Sequence, residues 1–292
     1  MRYRLIHRTR YTYSGAVTVS HHMARLAPRT LPGQRCPWHE LEIHPSPVGR
    51  GVHLDAYGNI AQYFEVEGKH EELDVIARSL VEVFPTPRPE PHATPTWEIV
   101  RDACQIERLT PGSEAGAFRF ASPMVPLGED YGIYARLDFT PGRPILEATL
   151  ALTERIFRDF RFDPRATDVS TPVSEVFKKR AGVCQDFAHL MLACLRSIGL
   201  PCRYVSGYLE TAPPPGKQRL VGADASHAWL AVFCGEAIGW IDTDPTNNLL
   251  PGERHITLAW GRDFSDVSPL RGVTLGAGGQ RLAVEVDVIP LE

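Results

Sequence analysis

The chain has 292 residues and a net charge of −4, with 43% hydrophobic and 23% charged residues, proportions suited to a globular protein that buries a core. The slight acidity gives no global positive field, which argues against nucleic acid as a partner. No apolar run approaches the ~20 residues needed to span a bilayer, and Met1-Arg-Tyr-Arg-Leu-Ile-His-Arg8 lacks a signal-peptide core, so a cytoplasmic protein without membrane association is expected.

Residues 1–84 read as strands joined by turns. Tyr3 to Tyr13 alternates and is β-rich, and Gly15, Pro32-Gly33, Pro45, Gly49, Gly51 and Tyr57-Gly58-Asn59 punctuate the remainder of the segment. No amphipathic pattern there is long enough for a helix, so this part is expected to be an all-β, sandwich-like domain. Pro85, Pro87, Pro89, Pro91 and Pro95 then favour extended conformation and mark residues 85–96 as a linker. Residues 97–292 would form the second domain, including its C-terminal strands.

Helical periodicity begins there. Pro144 to Phe160 keeps Ile145, Leu146, Leu150, Ile156 and Phe157 on a helical face, with Pro144 in the first turn. A second helix is expected from Thr171-Pro172, as N-cap and N1, to Lys178-Lys179-Arg180 before Gly182. A third runs from Cys184 to Ile198, apolar nearly all round and therefore buried, until Gly199 and Pro201 end it. Strands are expected at Cys202–Leu209, Ser226–Cys234, Gly239–Asp244 and Arg281–Ile289, and a surface loop around Pro213-Pro-Pro-Gly216. The fold class is α+β, with helices packed on an antiparallel sheet.

Six cysteines are scattered without CxxC or disulfide-framework spacing, so free thiols are expected. Cys184 differs from the rest in opening a buried helix, where unpaired N–H groups favour the thiolate and can receive an oxyanion. Such a nucleophile needs a base. His227, Trp229, Ala231 and Phe233 share one strand face, and a two-residue turn at Gly235-Glu236 would set His227 directly opposite Asp244. Asp242 is the rival carboxylate on the same face, but Asp244 stands at a strand end where a side chain can face a cleft.

The stretches Arg180-Ala-Gly-Val-Cys-Gln-Asp-Phe-Ala-His189, Arg203-Tyr-Val-Ser-Gly-Tyr208, Ser226-His-Ala-Trp229 and Gly239-Trp-Ile-Asp-Thr-Asp-Pro-Thr-Asn247 resemble the transglutaminase-like superfamily, in its bacterial cysteine-protease-like branch. Residues 1–84 resemble the β-rich domain that accompanies this core, and Gly261 to Gly272 resembles its C-terminal part. The resemblance implies a papain-like core with Cys184, His227 and Asp244 as a catalytic triad, no required cofactor, and a thioester intermediate. It favours Asp244, four residues after Trp240, over Asp242. Water would complete hydrolysis of a peptide or protein amide; a lysine amine would instead complete crosslinking.

Around the triad, Gln185, His189, Tyr208, Trp229 and Trp240 are candidate substrate-binding or supporting residues. Four of them also have a structural reading: His189 in a core hydrogen bond, and Tyr208, Trp229 and Trp240 as core packing. A zinc site from Cys184, His227, Asp244 and His189 lacks any paired short-spacing signature, so no metal is expected. A binding module that keeps the fold without the activity is the remaining alternative.

Overall fold

A computed structural model of the chain describes residues 1–105, 114–211, 226–276 and 278–291; the loop expected around Pro213-Pro-Pro-Gly216 lies outside the described residues. The alternating N-terminal sequence forms four strands: β1 (Arg2–Ala24), β2 (Gln34–His44), β3 (Gly49–Leu54) and β4 (Ile60–Val83). β1 and β4 pair antiparallel from Arg2↔Glu82 to Ala24↔Gln62, with register shifts on either side of Val17. Such irregularities bend a strand. Tyr13, Val17, Ala24, Phe64, Leu73 and Val75, drawn from both halves of the pair, meet with Ile43 in one apolar core. The expected sandwich is thus made by one sheet folded over at its bulges.

The proline-rich stretch contains only a short 3₁₀ turn at Pro91–Ala93, then gives way to α1 (Trp97–Ala103), α2 (Glu129–Arg136) and α3 (Ile145–Asp159). A short parallel bridge joins β5 (Arg161–Phe162) to β6 (Ala181–Gly182) around α4 (Val173–Lys179). α4 begins one residue later than the sequence suggested, with Pro172 at the N-cap. Its left-handed C-cap is Arg180, φ 53°, rather than a glycine. The Arg180 guanidinium lies 4.5 Å from the Phe177 ring centre and 4.7 Å from that of Phe160, contacts that offset the backbone cost.

α5 (Cys184–Ser197) is the central helix, with every residue from Asp186 to Arg196 buried. It packs against one face of an antiparallel sheet of β7 (Cys202–Leu209), β8 (Ser226–Phe233), β9 (Trp240–Thr243) and β10 (His255–Gly261), in the order β10-β7-β8-β9. Leu190, Leu192 and Leu195 share a core with Tyr204, Leu230 and Val232 on that face. Val205, Trp229 and Ala231 point to the other face, against Trp240 and Trp260. A short helix, α6 (Phe264–Val267), follows β10.

The last strands correct the domain reading. β11 (Leu270–Leu275) and β12 (Gln280–Leu291) both pair with β1, across Val19–Ala24 and Arg2–Tyr13 respectively. They belong by hydrogen bonding to the first sheet, although the sequence grouped them with the core. The alternation of Arg281–Ile289 announced β12 but could not say which edge it would cover; β11 was not anticipated, and β1 offers an edge as long as both together.

Candidate active site

Asp186 organises the start of α5. Its carboxylate accepts the Val183 N–H at 2.8 Å and the Thr167 hydroxyl at 2.6 Å. Gly182 is needed beneath it, since a Cβ there would lie 2.6 Å from the same carboxylate oxygen. This cap fixes the first turn and places Cys184, half-buried, at the positive end of the helix. The other five thiols are all pushed upward by burial, Cys202 to about 11 and Cys234 to about 12. Cys104, Cys194, Cys202 and Cys234 are buried, and Cys36 is half-buried.

His227 is the second residue of β8 and is buried. Its Nε2 lies 2.7 Å from Asp244 Oδ2, and the same imidazole hydrogen-bonds the Cys184 side chain. Burial works against its cationic form, but hydrogen bonds to Asp244 and Cys184, and their charges, raise its pKa to about 10. Asp244 is fully buried. Burial would raise its pKa, yet bonds from His227 and His255 hold it well below the usual carboxylate range. Its other oxygen, Oδ1, accepts the N–H groups of Thr246 and Asn247 at 2.9 and 3.3 Å, and Asn247 Nδ2 donates to Oδ2 at 2.7 Å. The structure therefore brings Cys184, His227 and Asp244 into one hydrogen-bonded chain, able to hold a thiolate beside an imidazolium.

The route to that contact differs from the simple hairpin. Phe233 pairs with Trp240 and Leu230 with Thr243, so the register is slipped by two residues from the expected one. The cause is a longer turn closed by the Cys234 and Gly239 N–H groups, with Gly235 at φ 99° and Gly239 at φ 78°. A two-residue slip preserves the face. Asp244 lies beyond β9, in a turn bridged to Leu249, and reaches His227 diagonally. The rival Asp242 accepts from Trp229 Nε1 at 3.2 Å instead.

Of the supporting candidates, Trp229 packs beside His227, with the two ring centres 6.0 Å apart. Gln185 donates to the Val169 carbonyl at 3.1 Å and ties down the preceding loop. His189 accepts the Phe264 N–H at 3.2 Å, a core hydrogen bond, and burial lowers its pKa to about 4. Tyr208 points to the N-terminal sheet, its hydroxyl 2.8 Å from His7 Nδ1. Trp240 packs on Phe118 and Phe233, on the sheet face away from α5. These bonds and ring contacts tie Gln185, His189, Tyr208 and Trp240 into the framework.

One residue escaped the sequence reading. His255 opens β10 and its Nε2 lies 3.2 Å from Asp244 Oδ2. With His227 and Asp244 it offers three potential metal-ligand atoms within 4.8 Å of one another. The shared oxygen is already fully occupied by hydrogen-bond donors, so the arrangement is accounted for without an ion. The only signal was a histidine at the start of the β-branched run His255-Ile-Thr-Leu258. Beside it a cavity of about 840 Å³ separates the back of this sheet from the first sheet; Trp229, Asp242 and His255 line it, but Cys184 and His227 do not.

A capped thiol, an imidazole and a buried carboxylate on a helix-and-sheet core, joined to a folded β-sheet, define the class. Residues 3–82 match the bacterial transglutaminase-like N-terminal region, and residues 120–245 match the transglutaminase-like superfamily. The chain belongs to that superfamily. An uncharacterized protein of Mycobacterium tuberculosis is 42% identical over 298 residues, spanning 100% of this chain and 93% of the relative. One from Mycobacterium leprae is 32% identical over 294 residues, spanning 99% of both. A solved structure named "Putative Cysteine Protease from Cytophaga hutchinsonii" shares the fold, with TM-score 0.77, 18% identity, and coverage of 100% of this chain and 92% of that one. A protein-glutamine gamma-glutamyltransferase of Pseudomonas aeruginosa is 31% identical over 109 residues, 35% of this chain and 16% of the relative. Among the described residues, no helix is long and apolar enough to cross a membrane.

Proposed function

We propose that the protein is a cysteine-dependent acyl-transfer enzyme that hydrolyses amide bonds of peptides or proteins. The observation that carries this reading is the chain from Cys184, at the start of α5, through His227 to Asp244 Oδ2 at 2.7 Å. The Cys184 thiolate attacks the amide carbonyl carbon, the imidazolium of His227 protonates the leaving amine, and a thioester remains. Asp244 holds the imidazole orientation and stabilises its cation. Water, deprotonated by His227, then displaces the thiol and releases the acid. The Cys184 backbone N–H, at the helix N-terminus, is one donor to the oxyanion.

The test is alkylation of the native protein by iodoacetamide across the pH range, with each cysteine followed by mass spectrometry. Cys184 reacts well below pH ~8.5, the free-thiol reference, and His227→Ala abolishes that advantage. An inert Cys184, or one indifferent to His227, would turn the reading to a binding module of the same fold.

The likeness to the Pseudomonas protein-glutamine gamma-glutamyltransferase favours a second outcome for the same thioester, capture by a primary amine. Supplying a labelled amine with a glutamine-containing protein separates the two. Acid release outpacing amine incorporation supports hydrolysis, and the reverse supports crosslinking.

A further inference from the structure

Neither Cys184 nor His227 lines the cavity behind the core sheet, yet its lining is specific. Its volume of about 840 Å³ falls in the range of small-molecule sites. Trp229, Trp240 and Trp260 on one side face the chain around Phe84 and Pro85 on the other, so most of the wall is aromatic or apolar.

Within that wall stands Arg203. Its guanidinium lies 3.6 Å from the Trp260 ring centre and 4.5 Å from that of Trp240, held flat by both. Its Nε is buried without a partner, and no protein group among the described residues accepts a hydrogen bond from that atom. Asp242 stabilises the cation by charge, but its carboxylate is bonded to Trp229 Nε1. Arg29, on the same Trp260 ring at 3.5 Å, also leaves Nε unpartnered, but its Nη1 is anchored to the Tyr57 carbonyl and Asn59 Oδ1. A desolvated guanidinium is costly unless paired, and its planar fork matches a carboxylate.

His255 supplies the complementary group. An ionised Asp244 can only accept, so the His255 nitrogen facing it must carry the proton. In the tautomer with its proton on Nε2, His255 presents Nδ1 as an acceptor, and this atom is buried and unpartnered. The cavity therefore combines a charged donor set, an acceptor nitrogen and an aromatic wall.

We propose that this cavity is a binding site for an N-acylated amino acid or short peptide with a free carboxylate. The carboxylate sits on Arg203, an amide N–H donates to His255 Nδ1, and the apolar side chain lies against the indoles.

Calorimetric titration of the Cys184→Ala protein tests this independently of any acyl transfer, so failure here leaves the catalytic reading untouched. The probes are N-acetyl-L-phenylalanine, its neutral amide, and N-acetyl-L-glutamic acid α-amide, whose carboxylate is on a side chain. At least one acid should bind saturably and roughly tenfold or more tighter than the neutral amide. Preference between the two acids distinguishes a chain terminus from an acidic side chain. Arg203→Gln should remove the acid preference, and Arg203→Lys, which keeps charge but not the fork, should retain part of it. The acid-to-amide comparison needs no substitution at Arg203, so a Gln variant that does not fold leaves the test intact. Equal binding of acids and amide, no saturable binding, or an unchanged acid preference in folded Arg203→Gln protein overturns the proposal.

Discussion

His255 and His227 hydrogen-bond to the same oxygen of Asp244, at 3.2 and 2.7 Å. Two imidazoles on one buried carboxylate fix its position more tightly than either could alone, and their ring centres lie 5.8 Å apart. Small displacements of such groups are costly in rate. His255→Gln should slow Cys184 alkylation on the order of tenfold at neutral pH and shift its pH profile. A purely structural role would lower stability and leave that profile in place.

The two rival aspartates separate by substitution. Asp244→Asn removes the charge that holds the imidazolium, and the Cys184 alkylation rate should fall on the order of 10²-fold or more. Asp242→Asn keeps an acceptor for Trp229 Nε1 and should change the rate less than about threefold. Similar losses in both variants would place the wrong carboxylate at the site.

Stability should depend on pH through the same pair. The folded-state pKa of His227 is raised from 6.5 to about 10, so its contribution is complete below 6.5 and is lost as pH rises through about 10. Asp244 is shifted downward from 3.8, so its contribution is complete above 3.8 and is lost in acid. The stability gap between the wild type and His227→Gln, about 3–5 kcal/mol for a broken buried pair, should be widest between pH 3.8 and 6.5. Urea unfolding across pH measures it; a gap that persists unchanged above pH 10 contradicts the raised imidazole.

Tyr208 joins the two sheets rather than lining the site. Its hydroxyl is 2.8 Å from His7 Nδ1, with both residues buried and the His7 pKa lowered to about 4 by burial. Tyr208→Phe should cost about 1–3 kcal/mol by leaving that nitrogen unsatisfied. Chemical denaturation measures the loss, and Cys184 alkylation in the folded variant should be unchanged.

Gly207 carries the closest approach in the core sheet. A Cβ there would lie 2.1 Å from the Ile256 carbonyl and 2.5 Å from the Trp229 ring. Gly207→Ala should destabilise by about 1–3 kcal/mol and displace Trp229, seen as altered tryptophan fluorescence in the folded state. An unchanged denaturation midpoint would show that the sheet absorbs the methyl.

How far the sequence could be read depends on the range of each interaction. Cys184 was legible because its signal is local: a glycine-ended approach, then an apolar helix whose first residue is the thiol. His227 and Asp244 were legible through strand parity, which survives a two-residue slip, whereas the exact pairing depended on a turn whose length parity does not encode. The roles of Tyr208 and Trp240 were not legible, since an aromatic side chain gives no indication of which layer it packs against. His255 was invisible for a related reason: its partner Asp244 is reached only once β10 lies beside β7, a neighbour distant in sequence.

The pairing of β12 with β1 sets an order on assembly. Arg2 is matched with Leu291 and Tyr13 with Gln280, so the whole helical core is spliced between strands of one sheet. During synthesis β1 and β4 can pair early, but one flank of β1 stays open until the core has left the ribosome. A cut anywhere between the sheet and the core would not release two self-sufficient pieces, because the first would still lack the strands that close its edge. The protein is thus an enclosure whose clasp is made last, and contacts of such long sequence separation predict slow folding relative to its size.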